Sequence, residues 1–258
     1  MDLKTFIHLL LDNAGKYFFI AAPVFLLFYV ILKKKIARRK IQIRFPKIKD
    51  YAREIFYSTL SVIIFSVPPL LMLYSNTIRP HTTFYERIDE YGTLYFILAF
   101  PLMLIMHDTY FYWAHRLMHH PKLFRWVHLV HHKSTNPSPW AAYAFHPVEA
   151  IIESLIFVIF LFTIPVHAIH LTFFFIISLV YNVYGHLGFE LYPKGFNKHW
   201  LGKWINTSVS HNQHHQFFKG NYGLYFTFWD RMMGTLRNDY DTAFDNLKKR
   251  CNVPQTEK

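Results

Sequence analysis

The sequence of 258 residues predicts an all-α integral membrane protein with about three transmembrane helices, a helical hairpin and a cytoplasmic helical cap. Hydrophobic residues make up 52% of the chain and charged residues 17%, whereas soluble domains hold about 25% charged residues. Several long stretches carry no charge. The first of them is followed at once by basic residues, as expected on the cytoplasmic flank of a membrane helix. These residues are Lys33, Lys34, Lys35, Arg38, Arg39 and Lys40.

Three apolar runs predict the transmembrane helices, at residues 17–32, 55–74 and 93–113. Each is long enough to cross most of a hydrocarbon core that is about 30 Å thick. Pro68-Pro69 predicts a kink in the second helix, because proline lacks the amide hydrogen that continues a helix.

The third run continues past the membrane boundary. From Tyr91 to His120 it holds 30 residues, which is about 45 Å of helix at 1.5 Å per residue. The helix therefore extends beyond the hydrocarbon core, and His115 and His119 are predicted to lie on its cytoplasmic side.

A fourth apolar region lacks the length of two spans. Residues 154–189 contain no Asp, Glu, Lys or Arg, and Pro165 lies near their middle. Two full spans of about 20 residues and a turn need more chain. The sequence therefore predicts a helical hairpin at residues 154–184 that returns to the side it entered from. A pair of short full spans is the alternative.

The remaining segments are predicted to form the cap. Residues 114–147 and 198–258 contain no apolar run of membrane length and are assigned to the cap. Together with the membrane helices they are expected to form one membrane-embedded domain of residues 1–258. A net charge of +12 is compatible with nucleic acid, an anionic membrane surface or an acidic ligand. Because many basic residues lie beside membrane segments, we expect no nucleic-acid partner. Cys251, the only cysteine, cannot form a disulfide within the chain or a cysteine-bound metal cluster.

Three histidine boxes dominate the second half of the sequence. HRLMH spans 115–119, HLVHH spans 128–132 and HNQHH spans 211–215. Chance accounts for roughly 0.07 occurrences of His-x-x-His-His in a chain of this composition, and two are present. Residues three and four apart share a helix face, so the imidazoles of each box are predicted to point together. Eight imidazoles exceed the four ligands of one tetrahedral zinc and predict two metal ions in the cap. Spacing alone leaves Fe, Zn, Cu and Ni open.

Three carboxylates are predicted to hydrogen-bond the ligand imidazoles. Asp108 lies seven residues before His115, close to the same helix face, and a carboxylate at membrane depth usually has a function. The alternative for Asp108 is an ion pair with Arg116. Glu149 and Glu153 lie near the start of the hairpin and are given the same role as Asp108.

Four segments resemble the fatty acid hydroxylase/sterol desaturase superfamily. They are HDTYFYWAHRLMHH, HLVHHKSTNPSPWAAYAFHPVEA, GHLGFE and SHNQHHQFFKGNYGLYFTFWDRMMGT, and the resemblance covers roughly residues 100–236. It implies a membrane enzyme with a histidine-bound di-iron centre that uses O2 to hydroxylate or desaturate lipid C–H bonds. Zinc can replace the iron during expression.

The resemblance also implies the ligand set. The ligands from the boxes are His115, His119, His128, His131, His132, His211, His214 and His215. Members of the superfamily commonly use one or two further histidines between the second and third boxes, and His186 and then His146 are the candidates here. Glu190 stands where some members have a second histidine, four residues after His186. It is expected either to bind metal or to orient His186.

The electrons for such a reaction must come from a partner. The sequence contains no G-x-G-x-x-G, no P-loop and no cysteine set for an iron–sulfur cluster. We therefore expect an external reductase, ferredoxin or cytochrome, together with a lipid substrate. The substrate itself stays open among sterols, fatty acyl chains, sphingolipids, carotenoids and alkylglycerols. The final residues QTEK lack a retrieval signal, which favours a bacterial cytoplasmic membrane over the endoplasmic reticulum.

Three other functions compete with this interpretation. A non-enzymatic membrane protein that handles metal should carry polar residues at the midplane of several spans, whereas the boxes lie beyond the predicted span ends. A zinc hydrolase is disfavoured because H-E-x-x-H is absent. A different oxidation on the same ligands, such as ether-lipid cleavage, remains an alternative.

Overall fold

A computed structural model describes residues 2–251 and shows a chain built mainly of α-helices. The last part of the predicted cap, residues 252–258, lies outside the described residues. The α-helices are α1 (Leu3–Phe25), α2 (Lys33–Ile36), α3 (Ile48–Phe65), α4 (Val67–Leu73), α5 (Gly92–Met118), α6 (Pro121–Val127), α7 (Leu129–His132), α8 (Pro147–Thr163), α9 (Ala168–Gly185), α10 (Ser208–Phe217), α11 (Phe228–Met232) and α12 (Tyr240–Cys251). The strands are β1 (Phe84–Tyr85) and β2 (Val166–His167), and short 3-10 turns cover Ala37–Arg39, Arg79–His81, Pro139–Tyr143, Phe196–Lys198 and Gly202–Trp204.

Four helical stretches within residues 2–251 are long and apolar enough to cross a membrane. They are Leu3–Ile31, Ile48–Leu73, Gly92–Met118 and Ala168–Gly185. Together with the predominance of helix, they confirm the predicted all-α membrane fold. On which side of a membrane the cap lies stays a prediction.

The first helix begins earlier than its charge-free run suggested. The Asp2 carboxylate accepts a hydrogen bond from the Thr5 amide at 2.8 Å and caps the helix at Leu3, not at residue 17. Asp12 and Lys16 interrupt the apolar run, yet they pair with each other one turn apart on the helix surface. The last turns of the stretch, Leu26–Ile31, are wound as a π-helix.

The second stretch breaks where its prolines begin. The α3 helix ends at Phe65, and α4 follows after Ser66. The Ser66 hydroxyl donates to the Val62 carbonyl at 2.9 Å and accepts from the Asn13 amide at 3.0 Å, which ties the break to α1. The predicted kink at Pro68-Pro69 therefore appears as a change from one helix to the next.

The α8 and α9 helices form a pair joined by a four-residue turn. Strand β2 lies in this turn and pairs in parallel with β1, so the turn is fastened to the segment before α5. The rings of Phe160 and Phe174 meet at 4.9 Å in an apolar core that also contains Met103 of α5. The α8 helix has 17 residues, or about 26 Å, which is short of a hydrocarbon core of about 30 Å. Whether the pair dips into the membrane or crosses it stays a prediction.

The segment between α1 and α3 is bound to the cap rather than left on the surface. The Lys40 side chain is fully buried and donates to the Asn136 side chain at 2.6 Å. Burial lowers the pKa of Lys40 to about 7. The Gln42 amide donates to the Thr135 carbonyl at 2.8 Å and to the Asn212 side chain at 2.9 Å. This segment therefore links the loop after the second histidine box to the helix of the third.

Candidate metal centre

Nine histidines come together in two groups in the cap. Within each group the ligand nitrogens all lie within 4.8 Å of one another. One group contains His115, His119, His128, His132 and His214, and the other contains His131, His186, His211 and His215. The structure thus brings together all eight box histidines and the additional candidate His186.

Each His-x-x-His-His box contributes to both groups. In the second box, His128 and His132 belong to the first group and His131 to the other. In the third box the assignment is reversed, because His211 and His215 belong to one group and His214 to the other. The prediction that each box points one way is therefore wrong in detail. Adjacent residues such as His131 and His132 differ in direction by about 100° on a helix, enough to reach different groups.

Helix ends position these side chains. His115 lies in the last turn of α5, and His119 is the residue that ends it. His128 lies at the break between α6 and α7, so the second box is not one continuous helix as predicted. The third box lies on α10, where the Thr207 hydroxyl accepts from the Ser210 amide at 3.2 Å and caps the helix.

The Nδ1 atoms of five rings face hydrogen-bond acceptors. The pairs are His115 with the Tyr222 carbonyl at 2.8 Å, His128 with the Glu149 carboxylate at 2.7 Å, His186 with the Asn182 carbonyl at 2.8 Å, His214 with the Gly220 carbonyl at 2.8 Å and His215 with the Ser134 carbonyl at 3.0 Å. A carbonyl only accepts, so the Nδ1 atoms of His115, His186, His214 and His215 carry the proton and donate, and the ionised form of Glu149 would fix the same tautomer in His128. In a neutral ring this leaves Nε2 as a lone pair that can bind a metal ion.

The distances between Nε2 atoms of neighbouring rings test whether a metal ion fits between them. His115 and His128 bring their Nε2 atoms to 3.0 Å, and His186 and His215 bring theirs to 3.1 Å. The Nδ1 hydrogen bonds of His115, His186 and His215 to backbone carbonyls leave their Nε2 atoms as acceptors, and ionised Glu149 would do the same for His128. Two acceptors at this distance repel each other unless a cation lies between them. Metal–nitrogen bonds of about 2.0–2.1 Å place neighbouring ligands about 3.0–3.4 Å apart, so the spacing suits a bound ion in each group.

Burial keeps the imidazoles in the form that binds metal. It lowers the pKa of His186 to about 4 and that of His119 to about 2. The pKa values of the other cap ligands lie well below 6.5 for the same reason, and neighbouring imidazoles add to the shift. These rings are neutral at physiological pH, as ligand histidines must be.

Glu149 contacts the ring of His128, in agreement with its predicted role. It lies in the first turn of α8, is almost fully buried and faces the Nδ1 atom of His128 at 2.7 Å. Burial raises the pKa of Glu149 well above 4.5, and a cation bound to His128 would favour the ionised carboxylate. Replacing Glu149 with glutamine keeps a carbonyl acceptor but removes that negative charge. We expect the metal affinity of the first group to fall by about 10–100-fold, the usual effect of losing such a partner. Competition with a chelator of known affinity would measure it. An unchanged affinity would show that the Glu149 charge does not tune His128.

Asp108 and Glu190 do not touch the rings, in contrast to the prediction. Asp108 accepts from the backbone amides of Tyr225 and Phe226 at 2.9 and 3.1 Å. It thereby holds the loop whose Tyr222 carbonyl faces His115. The side chain reaches across to this loop because the loop packs beside α5, a contact between distant parts of the chain that sequence spacing cannot reveal.

Glu190 supports the start of the third box. Its carboxylate accepts from the Tyr184 hydroxyl at 2.6 Å and from the Val209 amide at 3.1 Å. Val209 lies in the first turn of α10, so Glu190 satisfies an amide that has no partner within the helix. Neither metal binding nor a contact with His186 follows from this arrangement, because both carboxylate oxygens are already engaged.

His146 lies outside both groups. It precedes α8, and its Nδ1 atom accepts from the Val148 amide at 3.3 Å. The ring therefore serves as a helix cap ahead of Pro147. The structure does not bring this second candidate to the metal centre.

Sequence reasoning missed the backbone carbonyls that orient the rings, because every residue type carries one. The segment NYGLYFTFWD shows how they are held. The Asp230 carboxylate accepts from the amides of Tyr222 and Gly223 at 2.9 and 2.8 Å and from the Thr235 hydroxyl at 2.7 Å. Asn221 adopts a left-handed conformation with φ of 55° at the turn. The position of this segment directly after the third box was the signal available in the sequence.

An apolar cavity of about 370 Å³ extends from the helices toward this centre. It follows α9 from Ala168 to Asn182, a distance of about 21 Å. Phe111 and Phe145 line its inner end. The Phe111 ring lies 5.0 Å from that of His115, and the Phe145 ring lies 5.1 Å from that of His131. The cavity therefore ends one side chain away from each histidine group.

The comparison with protein families agrees with this geometry. The fatty acid hydroxylase family model matches residues 100–235. This chain belongs to that family. The match contains both histidine groups and the loop that orients them, and it confirms the superfamily that the four sequence segments indicated. No solved structure matches the chain.

Several curated proteins are similar over most of the chain. A Delta(7)-sterol 5(6)-desaturase of Gibberella zeae is 31% identical over 231 residues, which cover 89% of this chain and 68% of that protein. Lathosterol oxidase of Rattus norvegicus is 32% identical over 189 residues, covering 72% of this chain and 61% of the oxidase, and that of Mus musculus is 29% identical over 237 residues, covering 91% and 76%. The chain thus spans less than two thirds of the rat protein.

These relatives confirm the expected enzyme class, an oxidoreductase that acts on lipids. They come from a fungus and from mammals. The comparisons therefore give no support to the preference for a bacterial membrane.

Proposed function

We propose that this chain is an O2-dependent lipid hydroxylase or desaturase that uses a histidine-bound pair of iron ions to oxidise an unactivated C–H bond of a sterol-like lipid. The observation that carries the proposal is the cavity that ends at Phe111 and Phe145 beside the two histidine groups. It offers a water-poor path for an apolar molecule from the membrane helices to the metal centre. The names of the sterol-oxidising relatives support the sterol-like substrate.

The donor set supports a pair of transition-metal ions. Nine neutral imidazoles in groups of five and four suit iron, zinc, copper or nickel, and the family membership favours iron. When bound, the iron pair supplies the reduction of O2 and the removal of hydrogen from carbon.

The chain itself contributes position and shielding. Backbone carbonyls and Glu149 hold the imidazoles in one tautomer, so the ligands are oriented before metal binds. The rings of Phe111 and Phe145 cover the side of the centre that faces the cavity and exclude bulk water from it. Exclusion of water from the end of the cavity would protect a reactive oxidant from side reactions.

Electron supply and orientation are parts of the same proposal. An external donor would deliver electrons to the cap, a role supported by the absence of G-x-G-x-x-G and of a cysteine set for an iron–sulfur cluster from the sequence. The basic residues 33–39 follow the end of α1 nearest the cap. By the positive-inside rule this arrangement supports a cytoplasmic position for the cap and for the donor.

The test is turnover by the purified, iron-loaded chain in detergent with O2, a reductase system and a panel of lipids. We expect an O2-dependent product from a Δ7-sterol that has lost two hydrogens or gained one oxygen, detected by mass spectrometry. The His211→Ala variant is the control and should give none. Iron-loaded protein that binds lipid yet oxidises no member of the panel would favour the metal-handling alternative. A product from alkylglycerols alone would favour ether-lipid cleavage.

A further inference from the structure

Glu153 does not contact a histidine of the two groups, in contrast to the prediction, but lies inside the apolar cavity without a partner among residues 2–251. It lies on α8 and lines the cavity together with His107 and Phe145. Among residues 2–251, no side chain or backbone group hydrogen-bonds its carboxylate. Two other polar groups at this end are engaged, since His107 bonds the Tyr225 hydroxyl at 2.9 Å and Asn182 donates to the Ala142 carbonyl at 2.7 Å. A polar group left unpaired in such surroundings destabilises a fold, so its presence points to a ligand.

The position of Glu153 relates it to the metal centre. It lies four residues after Glu149, one helical turn or about 6 Å farther along α8, and Glu149 contacts the ligand His128. A group bound to Glu153 would therefore sit near the inner end of the cavity. The charged residues at the other end, Lys16 and Arg79, line the cavity but are paired with Asp12 and Glu86.

We propose that Glu153 binds the hydroxyl group of the lipid substrate, so that the lipid lies in the cavity with its hydroxyl end innermost. This inference rests on the proposed function and narrows its substrate to a hydroxylated, sterol-sized lipid. A carboxyl group pairs well with a hydroxyl, because its oxygens accept the O–H hydrogen bond. A free fatty acid is disfavoured, since its own carboxylate would meet Glu153 where no cation is at hand to neutralise the pair.

The size and direction of the cavity agree with this orientation. Its volume of about 370 Å³ falls in the range of about 300–1,000 Å³ that is typical of small-molecule sites. The apolar remainder of the lipid would extend along α9 toward Ala168. With the hydroxyl held at Glu153, the carbons nearest to it are those presented to the metal centre. In a sterol, the C5–C6 bond lies on the ring adjacent to the one that carries the hydroxyl, which is consistent with the 5(6) position in the name of the fungal relative.

The experiment compares the binding of lathosterol and its 3-deoxy analogue to the detergent-purified, zinc-loaded chain, which cannot turn them over. Wild type should bind lathosterol at least about tenfold more tightly, the effect of one hydrogen bond. Glu153→Met should lose that preference, and Glu153→Gln should keep most of it, because an amide still accepts from a hydroxyl. Thr172→Val removes a hydroxyl from the same cavity and serves as the matched control with unchanged preference.

Thermal unfolding separates this role from a structural one. Without lipid, Glu153→Met should be as stable as wild type or more so, because it removes an unpaired polar group. A lower melting temperature together with unchanged sterol preference would assign Glu153 to the fold and overturn the inference. Equal binding of the two sterols by wild type, or no binding of either, would overturn it as well. Equal oxidation of both sterols by iron-loaded wild type would support the proposed function and contradict this inference. Preferential binding of lathosterol without oxidation would support the hydroxyl site and contradict the proposed function.

Discussion

Replacing His211 with alanine is expected to lower the metal content from about two ions per chain to about one and to reduce lipid oxidation by more than about 100-fold. The group of His131, His186, His211 and His215 has only four donors. Loss of one leaves three, too few to complete a tetrahedral site from the protein alone. Losing even a hydrogen-bond partner of a ligand costs about 10–100-fold, so losing the ligand itself should cost more. Elemental mass spectrometry measures the metal content, and the turnover assay measures the rate of lipid oxidation.

His146→Asn is the matched control for that variant. His146 lies close in sequence to the second box but outside both groups. Asparagine preserves the helix cap, since it is among the favoured capping residues. Metal content and activity should therefore remain at the wild-type level. If His146→Asn lost a metal ion and His211→Ala did not, the assignment of ligands to the two groups would be wrong.

Removing the metal should make the cap sensitive to mild acid. In the metal-free fold, burial holds the pKa values of the cap ligands below 6.5, to about 4 for His186. In the unfolded chain the same rings take up protons near pH 6.5. Below that pH the unfolded state binds more protons, so the free energy of unfolding falls as the pH falls. The loss continues until the pH reaches the pKa values of the folded state.

The expected size of this effect is large. Each such ring contributes about 1.4 kcal/mol per pH unit once the pH is well below 6.5. Several rings together would exceed the 5–15 kcal/mol that stabilises a typical domain. Chelator-treated protein should therefore lose its cap structure between about pH 6.5 and 5, followed by circular dichroism or amide hydrogen exchange. Metal-loaded protein is the control and should resist acid farther, because bound metal competes with protons. Equal acid stability of both forms would contradict the burial of neutral imidazoles.

The sequence predicted the fold class and the eight box histidines that come together in the two groups, because both depend on local patterns. Apolar runs of membrane length and imidazoles at helical spacing are visible without any knowledge of tertiary contacts. The spacing of the boxes does not indicate His186, which was predicted from the resemblance of GHLGFE to the superfamily. The start of α1 was missed because Asp12 and Lys16 look like a boundary when their pairing on the helix surface is unknown.

The parts that could not be predicted depend on contacts between distant segments. Asp108 was expected to bond an imidazole of its own helix, yet it bonds amides more than a hundred residues away. The allocation of His131 and His214 to opposite groups depends on how α7 and α10 face each other. Neither the direction of a helix end nor the partner of a buried carboxylate is encoded in residue spacing alone.

Each His-x-x-His-His box contributes side chains to both histidine groups, and this limits how the centre can change. A rotation of α10 that improved the aim of His214 would move His211 and His215 by the same angle, in the other group. The same holds for His131 against its neighbours in the second box. A movement of either short helix would therefore disturb both candidate metal positions at once, whereas the loss of a single histidine side chain removes a donor from one group only. Variation in this enzyme is expected to be tolerated in the cavity wall, where α8 and α9 can alter substrate fit, far more readily than in the paired sites that share these short helices.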